Sequence, residues 1–95
     1  MIAVTGRLVL WTGESASWHF LGVPAEQSDE IRARGLADRR GFGSARVEAR
    51  IADVTWRTSL FPQKSGGYLL PVKAEVRRKA GIAAGDEVTV ELVLL

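Results

Sequence analysis

The last third of the chain, Tyr68-Leu-Leu-Pro-Val-Lys-Ala-Glu-Val-Arg-Arg-Lys-Ala-Gly-Ile-Ala-Ala-Gly-Asp-Glu-Val-Thr-Val-Glu-Leu92, leaves the fewest choices of fold. Residues 67–72 read as a strand. Pro71, with its fixed φ, opens a helical turn that runs over Ala74–Ala80 and ends near Gly81. Val76, Ala80 and Ile82 give this helix an apolar side. Gly85-Asp86 then turns the chain into a last strand. There Val88, Val90, Leu92 and Leu94 alternate with Thr89 and Glu91, the pattern of a strand with one buried face.

The remainder is read in the same way. From Ile2 to Trp11, Ile2, Val4, Leu8 and Leu10 fall on one face of a strand, with Thr5 and Arg7 on the other. Thr12-Gly-Glu-Ser15 is a turn, and a second strand follows over Ser17–Val23, with Trp18 alternating with Phe20 and both expected in the core. Pro24 opens a helix whose acidic residues come early and whose Arg32 and Arg34 come late, which complements the helix dipole, with Gly35 as C-cap. Residues 38–44 are a polar, glycine-rich loop. Ser44–Phe61 is a hairpin. With a two-residue turn at Ala52-Asp53, Ile51 faces Val54, Ala49 faces Trp56 and Glu48 faces Arg57, so one register gathers the apolar residues on one face. Leu21-Gly-Val-Pro24 before one helix and Leu69-Leu-Pro71 before the other make an internal echo, which implies two similar strand–helix units about a pseudo-twofold axis.

The sum is a mainly β fold, a small barrel of about six strands with two short helices, in which closure removes exposed strand edges. A chain of 95 residues is expected to form a single domain over residues 1–95. It has no cysteine, which excludes disulfides, thiolate zinc sites and cysteine nucleophiles. The N-terminus lacks the charged and apolar regions of a signal peptide, and no apolar run approaches the roughly 20 residues of a spanning helix. The expectation is a cytoplasmic protein away from membranes.

The string Tyr68-Leu-Leu-Pro-Val-Lys…Val76-Arg77…Gly81-Ile82…Gly85-Asp86-Glu-Val88 resembles the swapped-hairpin element of AbrB/MazE-type proteins. Trp18-His-Phe-Leu-Gly-Val-Pro24, Gly41-Phe-Gly-Ser-Ala-Arg-Val47 and Trp56-Arg-Thr-Ser-Leu-Phe-Pro62 resemble a bacterial family of unknown function with a double-split β-barrel. Some members of that family carry a C-terminal helical segment related to bacteriocin-protection proteins. This chain, ending at Leu95, resembles the stand-alone form. The resemblance implies the barrel and no activity. AbrB-type barrels are assembled from two short chains, whereas here one chain is long enough to supply both halves.

No residue pattern points to catalysis. His19 is the only histidine, lies between Trp18 and Phe20, and has no nucleophile or carboxylate near it in sequence, so it reads as a surface or edge residue. Gly41-Phe-Gly-Ser44 lacks the lysine of a phosphate loop and precedes a strand rather than a helix. Ser59 lacks a nucleophile elbow and faces Arg46 across the hairpin. Asp29-Glu30 and Asp86-Glu87 are explained by helix and turn capping, and no acid or histidine spacing suits a metal. No cofactor is expected. Trp56, like Trp18, belongs to the expected core, and Trp11 ends its strand half exposed.

The basic residues are the best binding candidates. Of 13 Lys and Arg, all but Arg7 lie between Arg32 and Lys79, although the net charge is only +2 because acids are interspersed. Arg46, Arg50 and Arg57 share the outward face of the hairpin. Lys73, Arg77, Arg78 and Lys79 surround the second helix, with Lys64 in the loop before it. If these faces adjoin, an anion or partner could bind there. The expected function is a non-catalytic binding or interaction module, with a protein as partner. The alternative is an AbrB-like nucleic-acid binder using the arginine-rich face. A small-molecule hydrolase, which would need a deep pocket gathering His19, Ser59 or an acid, ranks last. Monomer and homodimer both remain open.

Overall fold

A computed structural model describes residues 1–34, 45–63 and 67–95. Six strands, β1 (Ile2–Thr12), β2 (Ser17–Val23), β3 (Ala45–Ile51), β4 (Val54–Pro62), β5 (Tyr68–Pro71) and β6 (Glu87–Leu94), close into a barrel. The order around the wall is β1-β2-β5-β4-β3-β6, with every neighbouring pair antiparallel. Helix α1 (Ala25–Arg34) connects β2 to β3, and α2 (Ala74–Ala80) connects β5 to β6.

Period-two alternation explains the interior. Ile2, Val4 and Leu8 from β1, Val47, Ala49 and Ile51 from β3, and Val88, Val90 and Leu92 from β6 are all buried. Leu21 and Leu70 face each other across β2 and β5, both fully buried. Ile31 of α1 and Val76 of α2 join the same core. The β3–β4 hairpin takes the expected register, with Ile51 opposite Val54, Ala49 opposite Trp56 and Glu48 opposite Arg57. Trp56 is buried as expected.

Four expectations need correction. Trp18 is not in the core but 51% exposed. The two parities of β2 are both apolar, and closure turns Leu21 and Val23 inward, which sends Trp18 and Phe20 outward. Leu10 shares the inward parity of β1 but is 46% exposed, because burial along this strand ends at Leu8 and the β1–β2 hairpin continues past the core. Pro71 does not open α2. It closes β5 opposite Phe20, and Lys73 takes the N-cap position. Pro24 likewise precedes the first helical residue, its carbonyl accepting the first helical bond from the Ser28 N–H. Gly35, the loop expected over residues 38–44, and Lys64 lie outside the described residues.

The internal echo extends through the whole barrel as a topological twofold. Exchanging β1 with β4, β2 with β5 and β3 with β6 carries every neighbouring strand pair onto a neighbouring pair, with β2–β5 and β3–β6 mapped onto themselves. The registers agree residue by residue. Val9 opposite Phe20 becomes Phe61 opposite Leu69, Val4 opposite Val90 becomes Trp56 opposite Ala49, and Arg7 opposite Glu87 becomes Ser59 opposite Arg46. Leu21 and Leu70 exchange with each other, as do Arg50 and Glu91. One chain thus closes the barrel by using the same strand–helix design twice.

Candidate functional site

Of the basic residues singled out from the sequence, three converge. A cleft of about 360 Å³ opens where β2, β4 and the β5–α2 junction meet. Its walls include Trp18, His19, Trp56, Arg57, Lys73 and Arg77, and no carboxylate of the described residues lines it. The β2-β5-β4 neighbour order brings these residues together. Arg57 leaves the outer face of β4 opposite Glu48, His19 sits near the start of β2, and Lys73, the N-cap of α2, lies one helical turn before Arg77.

The electrostatics follow from these neighbours. The Arg77 guanidinium donates from Nη1 to the Val72 carbonyl at 2.7 Å, which holds it at the cleft. Arg57 reaches Glu48 only at 3.5 Å and stays largely exposed. Lys73 and Arg77 have no acidic partner within ion-pair distance among the described residues. Desolvation holds the His19 imidazole below its ordinary pKa, and the positive charge of Arg77 adds to the effect.

The other candidates lie elsewhere. Arg50 bonds through Nε to the Ala52 carbonyl at 2.9 Å and approaches Glu91 at 3.4 Å. Arg46 is exposed opposite Ser59, and Arg78 points into solvent from α2. Neither lines the cleft. Ser59 is also absent from it, so His19 and Ser59 do not meet. Asp29 and Glu30 pair with Arg32 and Arg34 along α1, and Asp86 Oδ2 accepts the Ala83 N–H at 2.9 Å, so these acids have local structural partners.

The twofold shows what the fold itself requires at this position. The counterpart of Arg77 is Ser28, and the two do the same structural work. Ser28 Oγ donates to the Val23 carbonyl at 3.1 Å, while Arg77 donates to the corresponding Val72 carbonyl. Pro24 stands where Lys73 does, Thr5 where Arg57 does, and Tyr68 where His19 does. Tyr68 and Ser28 are buried, with the Arg32 guanidinium 5.5 Å from the Tyr68 ring, whereas Arg77 and its neighbours line a cleft.

A second concavity was not anticipated from the sequence. A groove of about 480 Å³ runs along the outside of β1, β2 and β5, lined by Val9, Trp11, Trp18, Phe20, Gly22 and Leu69. The exposure of Trp11, 57%, agrees with its place at the strand end. Both parities of β2 carry apolar residues, so alternation alone could not identify this face.

Among the described residues no helix is long and apolar enough to cross a membrane. No curated protein matches the chain. A match to the domain of unknown function DUF1905 covers residues 5–92, from within β1 to within β6, and the chain belongs to that family.

Proposed function

We propose that this domain is a non-catalytic binding module and that its ligand is anionic, held in the cleft at Arg57, Lys73 and Arg77. The observation that carries this is the replacement of Ser28 by Arg77 across the twofold. A short hydroxyl is enough to satisfy the strand–helix carbonyl in one half. The other half performs the same task with a full positive charge, and adds Lys73 and Arg57 where the first half has Pro24 and Thr5. Only Arg57 among them has an acidic partner, Glu48 at 3.5 Å, and Lys73 and Arg77 have none within ion-pair distance among the described residues. An anion placed there gains charge-assisted hydrogen bonds, stronger than those to neutral donors.

The non-catalytic part is supported by His19. It has no hydrogen bond to a hydroxyl or carboxylate among the described residues. A general base needs an orienting partner and a nucleophile within reach.

Titration of inorganic phosphate and pyrophosphate, followed by NMR, tests this reading. Saturable shifts are expected at His19, Lys73 and Arg77. Arg77→Ser, which copies the solution used at Ser28, should weaken binding about tenfold or more while keeping cooperative unfolding. Unsaturable shifts, or unchanged affinity in Arg77→Ser, would overturn the anionic site.

A further inference from the structure

We propose that the cleft is one end of a surface that binds single-stranded nucleic acid, which rests on the anionic-ligand reading and extends it along the aromatic groove. Trp18 lines both concavities, so the cationic cleft and the apolar groove adjoin at its ring. The groove is built from cross-strand neighbours on the outer wall. Trp11 is opposite Trp18, Val9 opposite Phe20, and Gly22 opposite Leu69, with Phe61 on the far side of Leu69. Arg7, two residues before Val9 on the same parity, stands at the end away from the cleft.

The rings are displayed rather than packed away. Trp11, Trp18 and Phe61 are each about half exposed, although a barrel of this size could place polar residues there at no cost to its core. The Trp18 and Phe20 rings lie 6.4 Å apart with planes inclined by 20°, so they present two surfaces of nearly the same orientation. Trp11 rests on the turn backbone at Gly13, where a Cβ would come within 2.9 Å of its ring. Gly22 leaves the groove floor open, since a Cβ built there meets nothing within 4 Å.

The combination selects the ligand class. An apolar ligand would fill the groove but leave Lys73 and Arg77 without counter-charge. A small anion would fill the cleft but leave the rings in water. A duplex keeps its base faces stacked on each other. An unpaired strand carries a planar face and a negative charge in every unit, and sequence-tolerant stacking on aromatic rings beside a cationic track is how such strands are held.

The test is fluorescence anisotropy of labelled oligothymidylate and oligouridylate of about eight nucleotides, within the range one small barrel covers. A duplex of equal length and polyglutamate serve as the other arms. We expect both single strands to bind more tightly than the duplex or polyglutamate and to quench tryptophan fluorescence. The affinity should fall with salt with a log–log slope of roughly −2, for three phosphate contacts. Trp18→Ala should weaken binding about tenfold, with most of the affinity kept in Trp18→Phe. Gly22→Glu, which puts a charge into the open groove without disturbing the core, should abolish binding, and Arg77→Ala should reduce the salt slope by about 0.7.

Equal binding of duplex or polyglutamate, or full affinity in Trp18→Ala and Gly22→Glu, would overturn the single-strand proposal. So would concentration-dependent dimerisation that buries Trp11 and Trp18, which would make a second copy the occupant. If phosphate still shifts Arg77 in these cases, the anionic site stands alone. If neither phosphate nor any oligonucleotide produces a saturable response, both readings fall.

Discussion

His19 is where the chemistry of the cleft can be read most directly. Its folded pKa is depressed, first by desolvation and then by Arg77, so the folded state binds protons less readily than the unfolded chain. By linkage, its contribution to stability is intact above the ordinary imidazole value of about 6.5 and is lost as the pH falls towards the depressed folded value. A pH series of denaturant midpoints should therefore decline below about pH 6.5 in the wild type, and less so in His19→Gln. In Arg77→Ala the His19 pKa, followed by imidazole proton shifts, should rise only part of the way, because desolvation is the larger cause. A full return to the ordinary value would show that charge and not burial dominates. The identity of such residues was legible in the sequence. His19 could be placed between Trp18 and Phe20, and its lack of a catalytic partner could be read, but its approach to Arg77 depends on residues far apart in the chain.

Elements were legible wherever two faces differ in polarity. In the β3–β4 hairpin, Val47, Ala49 and Ile51 alternate with Arg46, Glu48 and Arg50, so only one register buries the apolar set. The turn that closes it carries a strained residue, since Ala52 has φ 54° and is the one non-glycine with positive φ among the described residues. Left-handed backbone costs an L-residue roughly 1–2 kcal/mol, and glycine costs roughly 0.5–1 kcal/mol in extra unfolded-state entropy. The balance favours glycine, so Ala52→Gly should stabilise the protein by up to about 1 kcal/mol in urea denaturation. A destabilisation would show that the Arg50 bond to the Ala52 carbonyl depends on the alanine conformation. The end of α2 already uses glycine at such a position, Gly81 with φ 69°. Helix starts were less legible. Pro24 and Pro71 mark the strand–helix junctions, but the N-cap falls on Pro24 in one and on Lys73 in the other.

At the scale of the molecule, one chain does the work of two similar halves. All six strands are paired on both sides, so the described barrel has no open edge with which to recruit a second chain by strand addition. Light scattering at low micromolar concentration should accordingly give a monomer, and a domain-swapped dimer would contradict closure within one chain. The sequence by itself determined the strands and helices, their polar and apolar alternation, and the echo of one half in the other, because these depend on neighbours in the chain and on periods of two residues. Only the tertiary structure decided which parity of β2 faces inward, because both are apolar and hydrophobicity cannot choose between them. It also decided that Arg57, Lys73 and Arg77 meet His19 while Arg46, Arg50 and Arg78 do not. That meeting follows from the β2-β5-β4 neighbour order, a product of barrel closure that no local pattern in the chain encodes.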